Sequence, residues 1–215
     1  MDNYELLIFD MDGVLVDTAP SHGRAYEDLW SMMGIPGPRY EAIAGRKTSD
    51  VIESFAKKLR PSAAQIDEWT RFKQERARTY LTTEVITYDD TIPSLAALAQ
   101  NNVLLALGTG ASRDTAELLL KTAGIFKFFN IVLMAGDVQN GKPAAEIYLK
   151  IMLKAGVHPE ATLIIEDSLS GLEAAIASEA WVAAVRSGRS VNHSRFIGCF
   201  ANLRDLLGGI GVTAS

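Results

Sequence analysis

The sequence predicts an α/β protein: a doubly wound parallel sheet carrying an inserted all-helical cap domain. Three observations support that expectation. Short apolar runs, rich in Leu and β-branched residues and closed by polar or Gly positions, recur at 6–10, 103–108, 131–134, 162–165 and 181–185. Strands buried on both faces of a sheet read this way. Helical patterns at 112–123, 144–155 and 169–178 separate the last four runs, and such alternation feeds right-handed parallel crossovers. The stretch 18–84 breaks the alternation. It reads as helices only, at 21–33, 48–58 and 62–81, with turn signals at 34–38 and at Arg60 and Pro61. The expected domains are a sheet core of residues 1–17 and 85–215 and a helical cap of residues 18–84.

Composition narrows the class. The chain has 215 residues, 48% hydrophobic and 22% charged, with 17 Gly and 7 Pro, which excludes collagen-like, low-complexity and disordered chains. A formal charge of −5 leaves no strong basic footprint for nucleic acid or an anionic membrane. No apolar run approaches the roughly 18 residues of a membrane span. An acidic N-terminus running straight into a strand shows no signal peptide, so a cytoplasmic protein is expected, monomeric or weakly homo-oligomeric. Cys199 is the only cysteine and the histidines are His22, His158 and His193; an internal disulfide is excluded and a Cys or His metal cage is not expected. The insert carries 11 Lys and Arg against 9 Asp and Glu, the remainder 10 against 17. A slightly basic cap over an acidic core suits an anionic substrate.

Ligands of open parallel sheets bind beyond the carboxyl ends of the strands. There the first run ends in Asp10, followed by Asp12 and Gly13, and the second in Gly108, Thr109 and Gly110. Lys142 follows the third, and the fourth ends in Glu166 and Asp167. Gathering so many carboxylates is costly without a cation, and oxygen donors without His or Cys suit a hard ion, magnesium above all. Thr109 and Lys142 then remain to hold the oxygens of a phosphoryl group, and a carboxylate can attack phosphorus to give an aspartyl-phosphate. Taken singly, Asp10 and Asp12 read as a strand-end turn and Lys142 as a solvated lysine before Pro143. Their company points to one site. GDVQNGKP (136–143) is no nucleotide-binding loop, because Pro143 replaces the Ser or Thr that would hold magnesium. GTGASR (108–113) is no dinucleotide fingerprint, because Arg113 takes the place of the third glycine.

Four segments together resemble the haloacid dehalogenase superfamily of phosphohydrolases, over nearly the whole chain. They are FDMDGVLVDT (9–18), LALGTG (105–110), GKPAAEIY (141–148) and LIIEDSLSGLEAA (163–175). The resemblance implies a Rossmann-like core and gives each residue a role. Asp10 would be the nucleophile and Asp12 the general acid and base. Thr109 and Gly110 would bind phosphate, with Lys142 beside them. Magnesium would lie between Asp10, Asp167 and the main-chain carbonyl of Asp12, with Glu166 close by. DTAPSH (17–22) and EDS (166–168) are most similar to the β-phosphoglucomutase-like branch, in which His22 would help position Asp12. The chain departs from the family's pattern at Ala145, and at Tyr88, Asp89, Asp90 and Thr91, where Pro and Gly are usual.

The implied activity is magnesium-dependent hydrolysis of a small phosphorylated metabolite. A sugar-phosphate mutase is the alternative within the family; Thr48 stands where that branch's mutase has Arg, which favours hydrolysis. The rival from another class is a phospho-accepting signalling switch, which has no use for an acid/base at Asp12. Arg46 and Lys47 either grip the leaving group or form a solvated loop pair, and His22 either supports catalysis or lies on a helix surface. Arg71, Lys73, Arg76 and Arg78 read as an exposed helix face paired with Glu68 and Glu75. Trp30 and Trp69 read as cap core.

Overall fold

A computed structural model describes residues 4–43, 46, 48–83 and 86–212. The chain divides into two compact units, Met1–Asp17 with Ile86–Ser215, and Thr18–Val85. In chain order the first unit opens with β1 (Leu6–Phe9) and β2 (Val16–Asp17). The second unit consists of α1 (Ala19–Met33), α2 (Thr48–Phe55) and α3 (Ala63–Thr83), with short 3-10 turns. The chain re-enters the first unit through β3 (Ile86–Thr87), antiparallel to β2, and α4 (Thr91–Ala99). Then follow β4 (Leu104–Gly108), α5 (Arg113–Thr122), β5 (Ile131–Leu133) and α6 (Glu146–Ala155). The chain finishes through β6 (Thr162–Glu166), α7 (Leu169–Ala177), β7 (Trp181–Val185), β8 (Phe196–Phe200) and α8 (Leu203–Gly209).

Six strands form one sheet in the order β5-β4-β1-β6-β7-β8, parallel throughout. After β1 the chain builds outward through β4 and β5, then returns to the other side of β1 for β6, β7 and β8. The order reverses beside β1, and a crevice opens beyond the strand ends at such a reversal. Every residue of β1 is buried, because both faces of the sheet are covered. Leu6 and Ile8 point to the face where Ala106, Ile164 and Val182 meet Ile147, Tyr148 and Ile151 of α6 and Leu172 of α7. Burying one such side chain contributes about 1.5–3 kcal/mol. Among the described residues, no helix is long and apolar enough to cross a membrane.

The sheet has one strand more than expected. β8 is a half-exposed edge strand with Gly198 at φ +141 in its middle, and it carries neither the Leu nor the repeated β-branched residues that mark the other runs. Helices α4 and α8 also lie outside the expected pattern.

In the second unit Tyr26, Leu29, Trp30, Val51 and Ile52 form a core against which Trp69 and Phe72 pack. Gly34 ends α1 in the left-handed conformation (φ +65), its N–H bonded to the Ser31 and Trp30 carbonyls. The basic run of α3 is not one exposed face. Lys73, Ala77 and Leu81, four residues apart, are the buried positions of the helix, so Lys73 lies on its inner stripe. Arg76 pairs with Asp28 of α1 at 2.5 Å, and Tyr80 donates its hydroxyl to the same carboxylate at 2.6 Å.

Candidate active site

Asp10 continues β1: its N–H donates to the Ile165 carbonyl at 3.0 Å, which sets its carboxylate at the sheet's edge, 7% exposed. The chain then folds back. The Met11 carbonyl accepts the N–H groups of Leu15 (2.9 Å) and Val16 (3.1 Å). The loop needs Gly13, which adopts φ +78 and leaves room for the Asp167 carboxylate where a Cβ would stand.

Lys142 ties three strand ends together. Its ammonium donates to Asp10 Oδ1 at 2.5 Å, Glu166 Oε1 at 2.6 Å and the Gly108 carbonyl at 3.0 Å. Glu166 is fully buried. Its Oε1 also accepts the Tyr148 hydroxyl at 2.6 Å, and its Oε2 accepts the N–H of Asp167 (3.0 Å) and of Ser168 (3.3 Å) and the Ser168 hydroxyl (3.1 Å). A Cβ at Gly171 would fall on this carboxylate, so the first turn of α7 packs against it only with glycine there. Thr109 is fully buried; its N–H donates to the Leu133 carbonyl at 3.1 Å and its hydroxyl accepts the Ala111 N–H at 3.0 Å. Gly110, next in the chain, is exposed.

The carboxylates of Asp10, Glu166 and Asp167 offer oxygens within 4.8 Å of one another. Burial pushes Asp10 well above the usual carboxylate range, opposed by Lys142 and reinforced by Glu166 and Asp12. Asp167 rises to about 7, from burial and then the charges of Glu166 and Asp12. Burial works against the Glu166 charge too, but the ammonium and the hydrogen bonds outweigh it and hold its carboxyl low. Burial likewise opposes the Lys142 charge, and Asp10, Tyr148 and Glu166 overcome it. One ammonium thus faces more buried acid than it neutralises. Oxygen donors with surplus negative charge fit a divalent hard cation. Glu166 already accepts bonds on both oxygens, which leaves Asp10 and Asp167 as the side chains best suited to hold the ion.

The remaining sequence candidates belong to the second unit. His22, on α1, stacks on Tyr40 with ring centroids 5.9 Å apart, and its Nδ1 lies 2.9 Å from Lys73 Nζ. An ammonium can only donate, so Nδ1 is the bare nitrogen and the proton sits on Nε2. Burial, then the Lys73 charge, lowers His22 to about 3. Arg46 is exposed and donates to the Ser54 hydroxyl at 3.0 Å. Lys47 lies outside the described residues. Two polar side chains take places that a sequence reading does not give them, Tyr148 in the site and Lys73 inside the second unit. Tyr148 reads as another core position of α6, since nothing in its spacing announces where a hydroxyl ends. Lys73 does carry a signal, the four-residue register with Ala77 and Leu81.

Comparison with known proteins matches residues 7–185 to the haloacid dehalogenase-like hydrolase family. A phosphorylated carbohydrates phosphatase of Thermotoga maritima is 32% identical over 80% of this chain and 80% of its own. A fructose-1-phosphate phosphatase of Escherichia coli is 31% identical over 82% of this chain and 94% of its own. The crystal structure of CbbY from Rhodobacter sphaeroides in complex with phosphate superposes with a TM-score of 0.77 at 23% identity, covering 97% of this chain and 99% of that one; at that identity the likeness is one of fold.

Proposed function

The chain belongs to the haloacid dehalogenase-like hydrolases, and we propose that it is a magnesium-dependent phosphatase. It would hydrolyse a small organic phosphate monoester through an aspartyl-phosphate at Asp10. The observation that carries the reading is Lys142, bonded at once to Asp10 and Glu166 at the edge where Asp167 completes the acidic cluster. The names of the relatives support the substrate class.

A carboxylate oxygen of Asp10 attacks phosphorus while the bond to the leaving oxygen breaks and Asp12 supplies that oxygen's proton. Asp12 then takes a proton from water, whose oxygen attacks the phosphoryl group; the Asp10–phosphorus bond breaks and inorganic phosphate departs. Two carboxylates are needed because the nucleophile must be ionised when the acid is protonated. Lys142 and Thr109 orient the phosphoryl oxygens, and Glu166 holds the ammonium of Lys142 in place. Asp10, Asp167 and the Asp12 carbonyl would hold magnesium, which when bound offsets the negative charge of both carboxylate and phosphate. Substrate selection is assigned to the cap, residues 18–84, with His22, Arg46 and Lys47.

Phosphate release from a panel of phosphorylated metabolites, with and without magnesium, tests the reading. Net release is expected only with the metal. Isomerisation without release would make the protein a mutase, and a long-lived phospho-protein would make it a switch. Asp10→Asn is expected to stay folded and lose turnover, and Asp12→Ala, given labelled p-nitrophenyl phosphate whose leaving group needs no proton, to accumulate acid-stable label. A fully active Asn variant removes Asp10 as nucleophile.

A further inference from the structure

The loop between Asp10 and β2 is held from outside by two side chains. Thr91, fully buried at the start of α4, donates its hydroxyl to the Leu15 carbonyl at 2.8 Å. Arg186, immediately after β7, donates its Nε to the Val14 carbonyl at 3.3 Å. The same guanidinium donates Nη2 to Asp90 Oδ1 at 2.5 Å and lies 3.8 Å above the Tyr88 ring. Asp90 in turn accepts the Leu203 N–H on Oδ2 at 2.6 Å, at the start of α8. Arg186 has a backbone φ of +61, a left-handed conformation that is uncommon and strained for a bulky non-glycine residue. The strained residue is therefore the one whose fork joins β7, the return segment before α4, and the loop that carries Asp12. The return segment supplies the ring of Tyr88 and the carboxylate of Asp90 to this fork.

We propose that Arg186 is a positioning residue that fixes the 11–16 loop, and with it Asp12, for proton transfer; the inference rests on the phosphatase reading above. Arg186 forms and breaks no covalent bond. Its fork spans Val14 and Asp90 while its plane covers Tyr88, which a lysine's compact ammonium cannot reproduce.

The test uses the full chain with magnesium and two substrates, p-nitrophenyl phosphate and an alkyl phosphate. p-Nitrophenolate leaves without a proton, so its departure does not need Asp12, whereas phospho-enzyme hydrolysis does. In Arg186→Lys the first p-nitrophenolate, equal to the enzyme present, is expected at the parent's rate. The steady phase after it is expected to slow by about ten- to a hundredfold, the scale of a small misplacement. With the alkyl ester both half-reactions slow and no burst appears. Asp90→Asn, which releases the guanidinium from its anion, is expected to give the same pattern and serves if the Lys variant does not fold. A parent-like steady rate, or burst and steady phases falling together in proportion to lost folded protein, overturns the role of Arg186. A parent chain that releases no p-nitrophenolate with magnesium sinks the phosphatase reading instead.

Discussion

Lys142 in the core and Lys73 in the cap are both withdrawn from water, and their surroundings drive them in opposite directions. Lys142 lies against Asp10 and Glu166, and its pKa is raised well above the ordinary value although burial alone would lower it. Lys73 is 5% exposed and, among the described residues, meets the bare nitrogen of His22 and the face of Tyr26, 4.5 Å away, rather than a carboxylate. Burial brings it down to about 8. The same desolvation acts on both ammonium groups; the anions decide the outcome. One lysine is a counter-ion to an acidic site, and the other is a charge the cap carries at a cost.

Opposite substitution effects should expose that difference. Lys142→Met leaves Asp10 and Glu166 buried without their cation, and is expected to lower stability by about 3–5 kcal/mol at neutral pH. Its turnover should fall by about a thousandfold. Urea unfolding and phosphate release measure the two losses. A Met variant as stable as the parent would mean that the acids are neutralised by protonation rather than by Lys142.

Lys73→Met should move stability the other way, raising it by about 1–3 kcal/mol at pH 7, since the lost hydrogen bond and ring contact offset part of the relieved desolvation. The pH dependence carries a definite sign. The unfolded lysine keeps its proton to 10.5 and the folded one releases it near 8, so between those values the unfolded chain binds more protons and stability from this group climbs with pH. The variant lacks that climb. Its advantage over the parent should therefore shrink between pH 7 and pH 9.5, as read by urea midpoints of both proteins. A constant difference would mean that Lys73 keeps its proton throughout.

The parallel core was the most legible part of the molecule because strands buried on both faces must be apolar throughout. β1, β4 and β7 are such runs, as are residues 163–165 of β6, and a polar residue that closes one stands at the sheet's edge. That is why Asp10, Thr109, Glu166 and Asp167 could be grouped before any contact was known. Illegible elements lack a period. α4 is nearly apolar on every side and carries Pro93 in its first turn, while α8 has seven residues and ends in Gly208 and Gly209. Charge type misled at Lys73, where the basic character of a helix face outweighed its register. The Arg186 fork was beyond reach, since its partners Val14, Tyr88 and Asp90 are scattered along the chain.

His22 offers the smallest effect and the most direct view of the cap's unbalanced charge. Its imidazole titrates at about 3, first through burial and second through the Lys73 ammonium 2.9 Å away. From pH 6.5 downward the unfolded imidazole takes a proton that the folded one refuses until about 3, so this group makes the protein less stable as pH falls through that window. Lys73→Met removes the second cause and leaves the first. NMR titration of the imidazole should then find its pKa raised part of the way toward 6.5 and still below it, with a correspondingly weaker loss of stability on the acid side. A complete return to 6.5 would show the ring to be open to water and the lysine to be the whole cause. An unmoved pKa would show that burial alone holds the imidazole low and that the Lys73 charge does not act on it where it titrates.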